Sequence, residues 1–218
     1  MRNVRYSLAA ICILCSAFLT QAADEKIRVA CIGDSITFGA GVEQRDQNHY
    51  PKVLGELLGD KYETKNFGIS GTTLLKKGDS PYWKQKAFKD ATDYNPNIVV
   101  IKLGTNDTKP QNIKHKEEFV GDLTAMVEHF SALPAKPKVF LCFPAPAYAT
   151  QWGINEKGIE EMVIPAVKEV AKAKNLSTID LHTALSNHPE MFPDKIHPNA
   201  AGAKLLAKTV AEAITSAK

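Results

Sequence analysis

The stretch Arg28-Val29-Ala30-Cys31-Ile32-Gly33-Asp34-Ser35-Ile36-Thr37-Phe38-Gly39 decides how the chain is read, because an unbroken apolar run passes directly into a glycine-led turn. An apolar run without polar alternation reads as a strand covered on both faces, the pattern of a parallel sheet. Taking 28–32 as the first such strand, residues 98–103, 138–143 and 178–181 share its character, and 62–67 form a weaker fifth. Between them the spacing changes to that of helices. Phe119, Val120, Leu123, Met126, Val127 and Phe130 fall on one face, as do Ile159, Met162, Val163, Val167 and Val170. Pro165 either kinks the second helix or marks where its regular part begins. A final helix starts near Pro198 and runs through Leu205, Leu206 and Val210. Strands alternating with helices predict an α/β fold, a parallel sheet between two helix layers.

The 218 residues fit one domain with a sizeable core, and no repeat, low-complexity tract or linker divides it. The first residues read differently. Arg2 and Arg5 precede an apolar stretch over 8–19, and Thr20-Gln21-Ala22 offers small residues where a signal peptidase inspects the chain. The expectation is a signal peptide over 1–22, cleaved after Ala22, and an exported domain over 23–218, periplasmic or secreted. The apolar stretch is shorter than the roughly 20 residues of a membrane span, so no stable membrane insertion is expected. A lipid anchor at Cys12 or Cys15 lacks the small residue that normally precedes such a cysteine. Without Arg2 and Arg5, Lys+Arg falls from 27 to 25 against 24 Asp+Glu, a near-neutral balance that gives no sign of a nucleic-acid partner. Export permits a disulfide between Cys31 and Cys142. Both lie in apolar strand-like runs, however, and read as small core residues.

The longest stretches without periodicity are 40–48, 72–80, 105–114 and 144–155. Each follows a strand or strand-like segment, and in an open parallel sheet such loops line the ligand crevice. Four short blocks in or beside these loops carry chemistry. Gly33-Asp34-Ser35 sets a hydroxyl on a strand-to-helix turn, which by itself is more often a helix cap. Asp194-Lys195-Ile196-His197 spaces a carboxylate so that it reaches the near ring nitrogen of the histidine, freeing the far one to take a proton from a serine. Gly104-Thr105-Asn106-Asp107 ends a strand with a side-chain amide suited to an oxyanion. Asn66-Phe67-Gly68-Ile69-Ser70-Gly71 offers backbone N–H groups to the same oxygen.

Taken in chain order, with Ser35 in the first, Gly71 in the second, Asn106 in the third and His197 in the fourth, these blocks resemble the SGNH hydrolases, also called GDSL esterases and lipases. The resemblance covers nearly all of 23–218. It implies a flavodoxin-like three-layer α/β/α sandwich with a five-stranded parallel sheet. It further implies Ser35 as nucleophile, His197 as base and Asp194 behind it, with the Ser35 and Gly71 N–H groups and the Asn106 amide as oxyanion donors. No cofactor is implied, and no His/Asp/Cys cluster with metal-ligand spacing is visible. Asp34 and Asp107 read as residues that fix their turns, and His49, His182 and His188 as structural or exposed.

The segment with Lys102 before Gly-Thr-Asn-Asp and Lys109-Pro110-Gln111 after it is similar to exported sialate-type and other carbohydrate O-acetylesterases. The expected partner is therefore a small-molecule or glycan ester, and the expected reaction is removal of a short, acetyl-type acyl group. Trp83, Tyr148 and Trp152 are candidates to stack on a sugar ring, or to pack beneath long loops. A lysophospholipase or thioesterase of the same family, and a catalytically silent sugar-binding module, stand as alternatives.

Overall fold

The computed structural model describes residues 25–216, so the expected signal peptide, with Cys12 and Cys15, lies outside the described residues. Five parallel strands form one sheet in the order β2-β1-β3-β4-β5: β1 (Ile27–Gly33), β2 (Tyr62–Gly68), β3 (Ile98–Lys102), β4 (Lys138–Phe143) and β5 (Ser177–Asp180). Side chains alternate between two cores. Ala30, Ile32, Val99, Ile101, Val139 and Leu141 face the helices Phe119–Ser131 and Ile164–Lys174. Val29, Cys31, Val100, Phe140 and Cys142 face the helices Tyr50–Leu58 and Ala200–Ser216. Both faces of the central strands are thus apolar, which is why their sequences show no alternation. Cys31 and Cys142 are buried and free; loss of solvation pushes the Cys31 thiol up to about 12, leaving it unreactive.

The structure corrects one sequence expectation and sharpens two others. β5 is an edge strand whose only buried residue is Ile179, not a strand covered on both faces. Residues Ile159–Val163 form a π-helix, and the regular helix begins at Ile164 with Pro165 in its first turn, where a missing N–H does no harm. The last helix begins at Ala200, close to Pro198 as expected. Asn199 Oδ1 accepts from the Gly202 N–H at 3.1 Å, the bond of a capping residue.

Because β1 connects to β2 on one side while β3 lies on its other side, the strand order reverses between β1 and β3. A crevice opens outside the carboxyl ends of strands at such a switch point. The segments bearing Ser35 and Asn106 leave those two strands.

Candidate active site

Gly33 closes β1, and the chain turns at once into a four-residue helix, Ser35–Phe38. Asp34 is the cap: its Oδ1 accepts from the Ile36 N–H at 3.0 Å. The cap and the candidate nucleophile are therefore adjacent residues with separate tasks. Asp34 Oδ1 also accepts from Lys102 Nζ at 2.7 Å, and neither side chain of this pair is exposed at all. Register explains the meeting, since Gly33 lies opposite Lys102 across β1 and β3.

His197 Nε2 lies 2.8 Å from Ser35 Oγ, and His197 Nδ1 lies 2.7 Å from Asp194 Oδ2. A carboxylate has no proton to give, so Nδ1 donates to Asp194 and Nε2 is left to accept from Ser35. Asp194 also shapes the turn, its Oδ1 accepting the N–H groups of Ile196 at 2.9 Å and His197 at 2.6 Å. Partial burial pushes the Asp194 carboxyl upward, but these bonds and the His197 ring prevail and hold it below its ordinary value. Lys195 takes a left-handed φ of 71°, and its carbonyl accepts from the Tyr148 N–H at 2.9 Å. Ala147, Ile154, Ile159 and Ile196 form a small apolar cluster that joins this turn to the 144–155 loop.

Asn106 follows β3 in a short 3-10 turn. Its Nδ2 donates to the Thr72 carbonyl at 3.1 Å, which aims the amide and leaves its second N–H for a ligand. Asp107 is wholly buried and accepts from the Leu74 N–H at 3.1 Å and the Leu75 N–H at 2.8 Å, tying its turn to the chain just after Gly71. Burial pushes the Asp107 carboxyl up to about 7 despite those two donors. Gly68 permits the close approach of the second block to the first: a Cβ there would lie 2.3 Å from the Phe38 nitrogen. Gly71 has a φ of 82°, which an L side chain rarely adopts. The N–H groups of Ser35 and Gly71 carry no hydrogen bond among the described residues.

Ser35, Gly71, Asn106 and His197 line one cleft of about 190 Å³, together with Ala40, Ser70, Lys109, Trp152 and Ile154. A larger groove of about 410 Å³ runs between the π-helix and Lys116, Glu117 and Val120, but none of its lining residues is a nucleophile paired with a base. Volume alone does not pick out the chemistry. Neither Trp83 nor Tyr148 lines the cleft. Trp83 donates its Nε1–H to the Leu74 carbonyl at 2.9 Å and packs on Phe88. Tyr148 hydrogen-bonds the Leu185 carbonyl and accepts from the His188 N–H at 3.0 Å. His49 caps the Tyr50–Leu58 helix, accepting from the Lys52 N–H at 3.1 Å, and His188 pairs with Glu190 at 3.1 Å.

Two features escaped sequence reasoning. Lys102 sits at a strand end like a solvated cation, and nothing local announces its partner 68 residues earlier. Glu156, Glu160 and His182 place ligand-type atoms within 4.8 Å of one another although their spacing fits no metal motif. There Glu156 Oε1 pairs with His182 Nε2 at 2.6 Å while its Oε2 accepts from the Ala147 N–H at 2.6 Å, so the carboxylate fastens the 144–155 loop.

Comparison with known proteins places residues 31–205 in the GDSL-like Lipase/Acylhydrolase family. An acetylxylan esterase of Xylanibacter ruminicola is 44% identical over 209 residues, spanning 88% of this chain and 44% of that protein. The chain spans less than half the length of the curated relatives it matches, 44% of one and 31% of another. Among solved structures, the carbohydrate acetylesterase Est24 of Sinorhizobium meliloti superposes with a TM-score of 0.72 at 20% identity, covering 88% of this chain and 100% of that one. An aryl esterase of M. smegmatis superposes with a TM-score of 0.71 at 21% identity, covering 87% and 98%. At those identities the likeness establishes a shared fold.

Proposed function

The chain belongs to the GDSL-like lipase/acylhydrolase family, and we propose that it is an exported serine esterase that removes acetyl groups from carbohydrates. The observation that carries this reading is the unbroken relay from Asp194 through His197 to Ser35, with contacts of 2.7 and 2.8 Å. Ser35 Oγ attacks the acyl carbon as Nε2 takes its proton, and the carbonyl electron pair moves onto oxygen. The Ser35 and Gly71 N–H groups and the free N–H of Asn106 meet that charge. Collapse breaks the bond from the acyl carbon to the alcohol oxygen, which leaves with the proton from Nε2. Water then attacks the acyl-Ser35 ester, giving a proton to the same histidine, which passes it to Ser35 Oγ as the acyl–oxygen bond breaks; acetic acid leaves and the serine and neutral histidine are restored.

Two observations support a short acyl group on a sugar. A cleft of about 190 Å³, part of whose lining is Ala40, Ser70 and Gly71, suits two carbons better than a fatty chain. The relative at 44% identity is an acetylxylan esterase. Export rests on the Arg2/Arg5 flank, the 8–19 apolar stretch and the small residues before Ala23.

The test is one assay panel. The reading expects acetate release from acetylated xylan or O-acetylated sialic acid, lost by a factor on the order of 10⁶ in Ser35→Ala. Hydrolysis confined to long-chain p-nitrophenyl esters would replace this reading with a lysophospholipase or thioesterase. No hydrolysis of any ester would leave a sugar-binding module.

A further inference from the structure

Among the described large apolar side chains exposed to solvent, Trp152 is the most exposed at 57%. It is also the one of them that lines the cleft of Ser35 and His197. Its place is built by a tight turn. The Gln151 N–H donates to the Ile154 carbonyl at 3.1 Å and the Ile154 N–H returns a bond to Gln151 at 2.9 Å. Between them Trp152 and Gly153 both take left-handed conformations, φ 52° and 82°, as a type I′ turn requires. Asn, Asp or Gly is the ordinary occupant of the first of these positions, so a tryptophan there is held against its backbone preference. Pro110 backs the turn, since a Cβ on Gly153 would lie 2.9 Å from its Cδ. Strain, exposure and rigidity together point away from a packing role, which Trp83 and Tyr148 already illustrate.

The Trp152 ring centroid lies 5.4 Å from that of His197. A base that hands its proton to the leaving oxygen must stand beside the alcohol half of the ester, whereas the oxyanion donors Gly71 and Asn106 mark the acyl half. We propose that Trp152 is the platform on which the sugar ring bearing the ester stacks, on the leaving-group side of His197. The C–H face of a pyranose meets the negative face of the indole. Lys109 lines the same cleft; its backbone is held by the Asn106 carbonyl and by the Asn112 and Ile113 N–H groups, and its ammonium, for which no side-chain hydrogen bond is seen among the described residues, is placed to donate to a sugar hydroxyl. This rests on the carbohydrate-ester reading and adds to it which side of the cleft takes the sugar.

The experiment compares the whole mature enzyme with Trp152→Ala and Trp152→Phe on acetylated xylo-oligosaccharides and on ethyl acetate, whose alcohol has no ring. Trp152→Ala should lose about tenfold more in kcat/KM on the sugar acetate than on ethyl acetate, and Trp152→Phe should recover most of that difference. Equal losses on both substrates, or no loss on either, would overturn the platform and leave the esterase reading standing. A wild-type enzyme that hydrolyses ethyl acetate but no sugar acetate would overturn the carbohydrate reading and the platform with it.

Discussion

The floor and the rim of the cleft are both made of chain leaving the carboxyl ends of strands, yet they are fixed by different forces. On the floor, Asp34 pairs with Lys102 out of reach of solvent and Asp107 holds two backbone N–H groups with a wholly buried carboxylate. At the rim, Asp194 is about one-third exposed, Trp152 is largely open, and a four-residue apolar cluster lies beneath. In the low-dielectric floor, an unpaired charge is expensive, so geometry and stability are inseparable there. The rim has little buried charge to lose. Its residues are free to serve chemistry and recognition without carrying the fold.

The largest expected effect tests the rim. Asp194→Asn removes the acceptor that fixes the His197 tautomer and should lower kcat by about 10⁴, with little change in melting temperature. A large drop in melting temperature would erase the distinction between the two regions. The next tests the floor. Lys102→Met leaves the Asp34 carboxylate buried and unpaired, and should cost about 3–5 kcal/mol in urea unfolding. Asp34→Asn combined with Lys102→Met should regain most of this, because asparagine still caps the turn and no charge remains. If Lys102→Met alone is as stable as wild type, buried charge is not what holds the floor.

The smallest effect concerns how the rim is fastened. The Glu156 bond raises the His182 pKa above its ordinary 6.5, with burial opposing. A raised folded-state pKa stabilises fully below the unfolded value, and that stability is lost as pH rises through the folded value. His182→Gln should therefore destabilise by about 1 kcal/mol or less, more at about pH 5.5 than at about pH 9. Thermal melts at the two pH values measure it. An equal loss at both would mean that the contact works without the histidine's charge.

The central strands were readable because burial on both faces leaves a continuous apolar run, as in 98–103 and 138–143. The same rule misread β5, where Thr178 resembles a β-branched core residue but lies at an exposed sheet edge. The motif residues were readable because Ser35, Asn106, Asp194 and His197 each belong to a recognisable turn; the structure brings Ser35, Asn106 and His197 to one cleft and bonds Asp194 to His197 behind it. The Asp34–Lys102 pair was not, because it depends on β1 lying beside β3 in a particular register. Both tryptophans were candidates in sequence, with packing under a long loop already a strong reading for Trp83. A backbone carbonyl bonded to Trp83 Nε1, with none bonded to Trp152 among the described residues, separates them, and only tertiary structure supplies that carbonyl.

The hydrogen bond between Ser35 and His197 joins positions 162 apart in the chain. Contacts of such separation follow the closure of everything between them. Until the fifth strand and the turn after it are in place, Ser35 has no His197 beside it and is an ordinary alcohol. The proposed esterase activity therefore needs the chain as far as His197, and on refolding it should not return before β5 and the turn after it are in place.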